Sequence, residues 1–231
     1  MPQNPLLPNR KLRELYALML RCRDLERRQP HPAAREALLA ATTMQLLPGD
    51  MLSVAPGDRA AALAPASKSD AKPSATTPAE IAPRLVLCAA TARGLQAAAA
   101  QGILLSLTTA GSAEPGWAAA LTWANTEKLP LLLAVADATD GKASVRKQSE
   151  PLNWLQMQRL AKKMRLPVFA VDGEDAVAVY RVMQESALRA RAGDGPAVIW
   201  AVLNPHRPAP AQQPLARLRS YLAARRIALR P

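Results

Sequence analysis

The second half of the chain alternates between continuous apolar runs and amphipathic stretches. Four apolar runs of strand length occupy 103–107, 129–137, 166–173 and 196–202. The stretches between them are predicted as helices, over 89–100, 116–127, 152–164 and 172–192. Strands that are apolar throughout and are joined by helices predict an α/β fold, with a parallel sheet and helices on both faces.

The first half of the chain has a helical pattern as far as a Pro-Gly-Asp turn at 48–50. Apolar residues recur at helical spacing from Leu12 to Leu25, and "AAREALLAATTMQLL" is a second helical stretch that leads into the turn. Residues 64–83 contain mainly Ala, Ser, Thr, Pro and Lys, with almost nothing to bury, which predicts a mobile loop.

These patterns predict one domain in four parts. An N-terminal helical segment occupies 1–63, the low-complexity loop 64–83, the α/β core 84–207 and an Arg-rich amphipathic helix 208–231. Hydrophobic residues make up 49% of the chain but aromatic residues only 3%, so we expect a core of Ala, Val and Leu.

The net charge of +12 is compatible with nucleic acid, an anionic lipid surface or an acidic protein as partner. Aromatic residues do not interleave with the basic ones as stacking platforms would, which makes nucleic acid an unlikely partner. No apolar run reaches the ~18 residues of a membrane span, and no signal-peptide pattern is present. Cys22 and Cys88 lie far apart and suggest reduced core thiols in a cytoplasmic protein.

The segment "LLSLTTAGSAEPGWAAAL", 104–121, begins as a strand, breaks into small residues and resumes as a helix. Many α/β proteins hold a phosphate group at such a turn. Between 108 and 116, however, Glu114 is the one charged residue, and Lys, Arg and Asn are absent. The turn has the shape of a cofactor loop without the expected side chains.

Several segments resemble the alpha chain of the thiamine diphosphate-dependent 2-oxo acid dehydrogenases. The stretch "LPVFAVDGEDAVAVYRVMQESALRARAGDGPAVIWAV" is similar to that family's strand ending in Val-Asp-Gly, its Ala-Val-Tyr helix and its Gly-Pro lead into the next strand. "LRELYALMLRCRDLERR", "REALLAATTMQLLPGD" and "ALTWANTEKLPLLLAVAD" also resemble family segments, in the family order. The likeness covers 11–63 and 85–202, and implies a thiamine diphosphate-binding-like fold.

The metal ligands that the resemblance implies are missing. Where the family has Gly-Asp-Gly, this chain has Thr-Ala-Gly, so Ala110 stands at the metal-binding Asp and Gly111 at the second glycine. Glu114 stands near the motif's Asn. Farther along, the second ligand Asn falls on Ala138, with Asp137 beside it. Neither alanine has a side-chain oxygen for Mg²⁺, and we therefore expect no metal site.

The family's diphosphate contacts are missing as well. Its Tyr-Arg-Asp-His-Gly-His motif corresponds to "PGDRAA", in which only Asp58 matches and Arg59 and Ala61 stand at the two His positions. The family's Gly-Gly-Ser-Met-His region has no recognisable counterpart in 64–83.

Two weaker candidates for a binding site remain. Glu114 and Asp137 are carboxylates on neighbouring turns and could form a relocated cation site. The simpler interpretation is that Glu114 faces a helix dipole and Asp137 ends a strand. His206 and Arg207 lie close to where the family's phosphate-contacting Arg and His loop begins, but a His among three prolines is more often an exposed loop residue. No catalytic residue can be assigned.

The resemblance leaves two functions open. The first is a non-catalytic alpha-like subunit, structural or regulatory, that pairs with a beta-type dehydrogenase chain in a heterotetramer, or forms a homodimer. It would bind neither thiamine diphosphate nor Mg²⁺. The alternative is a catalytic subunit with divergent metal ligation, which would use both. Trp117 and Trp123 are candidate interface anchors in the first case, or core residues of a monomer. A third, weaker possibility is a basic scaffold for an acidic partner or RNA.

Overall fold

The structure is a computed structural model that describes residues 7–28, 35–55, 57–67, 83–138, 151–204 and 213–229. Within these ranges, eight α-helices and five strands alternate along most of the chain. Their bounds are α1 Asn9–Arg27, α2 Glu36–Gln45, β1 Met51–Val54, α3 Arg59–Leu63, α4 Arg84–Ala97, β2 Leu104–Thr109, α5 Trp117–Thr126, β3 Leu131–Asp137, α6 Trp154–Met164, β4 Val168–Asp172, α7 Ala176–Arg191, β5 Ala197–Val202 and α8 Pro214–Ala224.

The five strands form one parallel sheet in the order β1-β2-β3-β5-β4. The four strands predicted from apolar runs are all present, with bounds that differ from the predicted ones by at most two residues. The first strand, β1, was missed: it lies in the part of the chain where only helices were expected. β1 pairs with β2, with Met51 opposite Leu104.

Helices cover both faces of the sheet, which confirms the predicted fold class. Along β3, Leu132 and Ala134 contribute to a core that α1, α2, α7 and α8 share. Leu131 and Leu133 contribute to a second core, on the opposite face, under α4, α5 and α6. Successive strand residues point to opposite faces, so a strand buried on both sides must be apolar throughout.

The direction in which the strands are added explains which helix lies on which face. From β1 to β4 the chain moves across the sheet in one direction, and α4, α5 and α6 all pack on one face. It then turns back to β5, and α7 lies on the other face. Right-handed crossovers require this change of face when the direction reverses.

Two details of the sequence-based prediction are corrected. The helix expected at 89–100 begins earlier, at Arg84, directly after Pro83. The first four residues of the expected loop, Ala64–Ser67, form a turn of 3₁₀ helix. Residues 68–82 of that loop lie outside the described residues.

Both cysteines are free and buried, as expected, and they lie in the two different cores. Burial, with the nearby charges of Glu26 and Glu36, raises the pKa of Cys22 to about 12. None of the helices in the described ranges has the length and apolar character needed to cross a membrane. The cytoplasmic location stays a prediction, as does the division into four parts.

Candidate functional site

The turn after β2 and the end of β3 meet at the carboxyl edge of the sheet, where parallel α/β sheets commonly bind ligands. Thr109 pairs with Ala136, and the backbone N–H of Ala110 donates to the carbonyl of Ala136 at 2.9 Å. The two motif regions that were compared with the family therefore lie at one edge of the sheet, as the resemblance implies.

The two alanines at the ligand positions serve the packing of the sheet. Ala110 is 9% exposed and belongs to the core under α4, α5 and α6. Ala138 is half-buried and packs against the core on the opposite face. The residues at the positions of the family's two metal ligands thus present methyl groups to two different hydrophobic clusters.

The backbone of the turn is already hydrogen-bonded within the protein. Gly111 donates its N–H to the carbonyl of Leu152 at 2.8 Å, and Leu152 donates to Ser112 at 3.1 Å. Ser112 in turn donates to the carbonyl of Thr109 at 3.2 Å. A phosphate-binding turn needs N–H groups that point at the ligand. These three donors point at other parts of the chain.

Gly111, the one glycine kept from the family motif, is explained by backbone conformation. Its φ is +80°, in the left-handed region that favours glycine. A Cβ built on it would meet no atom within 4 Å. The glycine is therefore required by the turn itself, and no close neighbour in the described structure demands the absence of a side chain.

A buried arginine occupies the space beside the turn. Arg84, at the start of α4, donates from Nη2 to Oε1 of Glu114, and from Nη1 to the hydroxyls of Ser106 at 2.8 Å and Ser53 at 3.1 Å. Thr108 donates from Oγ1 to the same oxygen of Glu114 at 2.7 Å. We call these five residues the Arg84 network; each side chain is buried.

The Arg84 network gives Glu114 a partner that the sequence does not indicate; that Glu114 faces the dipole of α5 stays a prediction. Its carboxylate is neutralised by a guanidinium, and both side chains are only 5% exposed. A buried carboxylate is stable when a counter-charge and hydrogen-bond donors surround it, and Arg84 and Thr108 supply them. Sequence reasoning missed Arg84, which lies thirty positions from Glu114 and belongs to no motif.

Asp137 is engaged by a different partner. It is the last residue of β3 and is buried, and its Oδ2 accepts a hydrogen bond from Trp200 Nε1 at 2.7 Å. The Trp200 ring packs against that of Trp154, with ring centres 5.2 Å apart and an angle of 48° between the planes. Each of the two carboxylates considered for a relocated cation site therefore has its own protein partner. Among the described residues, no three His, Cys, Asp or Glu side chains come together as a metal site.

Asp58, the one residue kept from the family's diphosphate motif, has a structural role. Its Oδ1 accepts the N–H of Ala61 at 3.0 Å, which caps α3, and its Oδ2 pairs with Arg35 at 2.7 Å. Although burial alone lowers the pKa of Arg35, its bonds to Asp58 and the charge of Glu26 raise that pKa above its ordinary value. His206 and Arg207 lie outside the described residues.

The two tryptophans of α5 differ in burial but pack against the same core. Trp117 is 4% exposed and belongs to the core under α4, α5 and α6. Trp123 is half-buried, and its Nε1 donates to Glu127 at 2.8 Å. Within the described chain, Trp117 is therefore a core residue.

A wide cleft of about 550 Å³ lies farther along the edge, at the carboxyl ends of β4 and β5. Arg217 of α8 reaches into it and pairs with Asp172 at 2.8 Å. Burial, the largest single influence, raises the pKa of Asp172. The hydrogen bond and charge of Arg217 and the hydrogen bonds from the backbone of Glu174 and Asp175 together outweigh it, so the pKa lies below its ordinary value. This cleft is not formed by the turns after β2 and β3, so it does not correspond to the family motif.

The comparison with protein families agrees with the resemblance seen in the sequence. The model of the family "Dehydrogenase E1 component" matches residues 84–206, which is more than half of the chain. Two curated relatives are the 3-methyl-2-oxobutanoate dehydrogenase alpha subunits of Mycobacterium tuberculosis strains CDC 1551 / Oshkosh and ATCC 25618 / H37Rv. Each is 57% identical over 44 residues, which are 18% of this chain and 12% of the relative.

Solved structures support the fold. Benzoylformate decarboxylase from Polynucleobacter necessarius matches 80% of this chain with a TM-score of 0.51 and 12% identity, over 35% of its own length. An enzyme from Mycobacterium smegmatis described as thiamin diphosphate-dependent matches 75% of the chain with a TM-score of 0.52 and 15% identity, over 32% of its length. The chain thus spans about a third of these neighbours. On the family match and this fold, the chain belongs to the dehydrogenase E1 component family.

Proposed function

We propose that this protein is a non-catalytic, alpha-like member of the E1 family that acts as a structural or regulatory subunit. The Arg84 network is the observation that carries the proposal. In the turn after β2, the one carboxylate that could have replaced the lost Asp is bound to a buried guanidinium. A Mg²⁺ ion drawn to Glu114 would have to compete with a cation that the fold already provides.

The other described residues at this edge add to the argument. Ala110 and Ala138 offer no oxygen, and Asp137 accepts the indole N–H of Trp200. The turn's amides at Gly111 and Ser112 are bonded to carbonyls of the chain. The donor set therefore fits neither Mg²⁺ nor a diphosphate group, and we assign this chain no step of thiamine diphosphate chemistry.

Calorimetry tests the proposal. The full chain is titrated with thiamine diphosphate in the presence of MgCl₂, first alone and then together with a beta-type chain, because the family resemblance places the cofactor between the two. A family member with an intact Gly-Asp-Gly motif serves as positive control. We expect no heat of binding from this chain in either state. A low-micromolar Kd would overturn the proposal and support the catalytic alternative.

We also propose that the partner is a beta-type dehydrogenase chain, in a heterotetramer, or otherwise a second copy in a homodimer. The support is that the curated relatives are alpha subunits, together with the family match. Light scattering on the purified chain, and on the chain co-expressed with a beta-type chain of the same organism, tests the proposal. A monomer in both preparations would contradict it.

A further inference from the structure

A second cleft opens between the first turn of α5, directly after the turn that follows β2, and one side of α6. Its volume of about 360 Å³ falls among those of pockets that hold small ligands or side chains, roughly 300–1,000 Å³. Its lining consists of Trp117, Ala118, Gln156, Arg159, Leu160 and Lys163. The lining is therefore apolar and aromatic on the α5 side and includes two cations on the α6 side, with no acidic residue.

One stripe of α6 provides the charged side of the cleft. Gln156, Arg159, Leu160 and Lys163 follow one another at helical spacings of three, one and three residues, which places them on one side of the helix. Leu160 is half-buried, whereas Arg159 and Lys163 are exposed. The apolar residue thus lies between two accessible charges.

The two cations of the cleft are available to pair with acidic groups of a partner. In the described part of the protein, neither Arg159 nor Lys163 forms an ion pair or a side-chain hydrogen bond. Lys162 and the capping residue Arg165 extend the positive charge, and 154–165 contains no acid. The fold therefore places the positively charged helix α6 beside the apolar side of the cleft.

We propose that this cleft docks an acidic segment of a different protein. An apolar side chain of the segment enters the cleft against Ala118 and Leu160, which are half-buried, and carboxylates of the segment pair with Arg159 and Lys163. The inference goes beyond the proposed function, because it adds an acidic partner segment that the pairing with a beta-type chain does not require.

The charges of the chain itself argue against a second copy as the occupant. Most described carboxylates already form ion pairs within the chain, as Glu26 and Asp58 do with Arg35. The described part of a second copy would therefore offer few free acids to α6. Nucleic acid is also disfavoured, since Trp117 is 4% exposed and offers no open face on which a base could stack.

The experiment measures fluorescence anisotropy of labelled probes against the full chain. The first probe is an octapeptide of Glu and Asp with two Leu residues, and the second has Ser in place of each Leu. The third is a short single-stranded RNA. The variant Arg159→Glu/Lys163→Glu is compared with Arg10→Glu/Arg181→Glu, a control that reverses two exposed cations on α1 and α7, on the opposite face of the sheet.

We expect the Leu-containing peptide to bind the wild-type chain more tightly than the Ser peptide and the RNA, with affinity falling as salt rises. Reversal at 159 and 163 should weaken it by about tenfold or more, and the control variant by less than about twofold. The proposal is overturned if the Leu peptide does not bind, if the Ser peptide or the RNA binds equally well, or if both variants lose the same affinity. Unchanged circular dichroism shows that both variants are folded.

Discussion

At the scale of single residues, the feature that matters most for the proposed function is the buried ion pair between Arg84 and Glu114. Arg84 brings a guanidinium to the only carboxylate of the turn after β2, and hydroxyls of β1 and β2 accept its other hydrogen bonds. One arginine therefore joins the two strands, α4 and the turn. Its Nε has no partner in the structure, so part of the cost of its burial is not recovered.

We predict that Arg84→Met lowers the free energy of unfolding by about 3–5 kcal/mol, because Glu114 is left buried without a counter-charge. The double variant Arg84→Met/Glu114→Gln should lose less, since both charges are then gone. Urea denaturation followed by circular dichroism measures each value.

Arg93→Met is the matched control for this series. Arg93 forms a similar pair with Glu127, at 2.9 Å, but both side chains are largely exposed. Its removal should cost less than about 1 kcal/mol. Equal losses from Arg84→Met and Arg93→Met would show that burial of the Arg84–Glu114 pair has no special weight.

The raised pKa of the Cys22 thiol predicts that the folded protein loses stability at high pH. Its pKa in the folded protein is about 12, raised from 9.0 mainly by burial. A raised pKa means that the folded state holds the proton more tightly, so this contribution is complete below pH 9.0 and is lost as pH rises toward 12. In the native state near neutral pH, the thiol should not react with Ellman's reagent, and reaction should follow unfolding. Rapid labelling of native protein at Cys22, with Cys88→Ala as background, would contradict this.

Arg84 also shows which kind of side-chain contact cannot be predicted from the sequence. The losses at Ala110 and Ala138 are visible in the sequence because a motif fixes the position at which an oxygen should stand. The ion pair between Arg84 and Glu114 cannot be predicted from the sequence, because the two residues lie far apart and neither of them alone indicates the other. Only the packing of α4 on the sheet brings them together.

At the scale of elements, the turn between β2 and α5 contains two glycines that are required for different reasons. Gly111 and Gly116 both have positive φ, +80° and +72°. A Cβ at Gly111 meets open space, whereas one at Gly116 would lie 3.1 Å from Cγ2 of Val86 on α4. Gly111 is therefore required only by its backbone conformation, whereas Gly116 is required both by its backbone conformation and by the close packing of α4.

The pair makes a direct prediction. Gly111→Ala should lower the free energy of unfolding by about 1–2 kcal/mol, the cost of a left-handed conformation for an ordinary residue. Gly116→Ala should lower it further, because the new methyl group also displaces Val86. Chemical denaturation of both variants checks the order, and a larger loss at Gly111 would contradict it.

The elements that could be predicted are those with long, uniform patterns. The segments of β2 to β5 are predominantly apolar and long enough to predict strands, and β2, β3 and β5, which lie inside the sheet, are the most completely buried of them. β1 has only four residues, of which Ser53 is polar because it accepts a hydrogen bond from Arg84, so its pattern was too short and too mixed. The start of α4 was placed too late because its run of alanines, and not its first turn, dominates the composition.

At the scale of the whole molecule, the chain has the fold of the family, and the described side chains at the carboxyl ends of β2 and β3 bond to partners within the protein. We predict that Ala110→Asp/Ala138→Asn does not bind thiamine diphosphate with Mg²⁺, although it restores both lost side chains. The new Asp at 110 would lie in a hydrophobic cluster, and Arg84 and Gly111 would keep their present partners. The variant should also be less stable, since a buried carboxylate without a partner is costly.

Calorimetry and urea denaturation check both parts of this prediction. Thr126→Asp/Ala119→Asn is the matched control, because it places the same side chains at exposed positions of α5. The control should keep the stability of the wild type within about 1 kcal/mol. Magnesium-dependent binding of the cofactor by Ala110→Asp/Ala138→Asn would show that the two side chains alone define the site.

The parallel sheet also has a consequence for how fast the chain folds. Strands that run in the same direction cannot be joined by a tight hairpin, so every pairing must wait for a crossover to close; β1 and β2 pair Met51 with Leu104. Domains dominated by such distant pairings fold in about milliseconds to seconds, far more slowly than helical bundles. The refolding rate of this protein should therefore be limited by assembly of the sheet, while its helices form earlier.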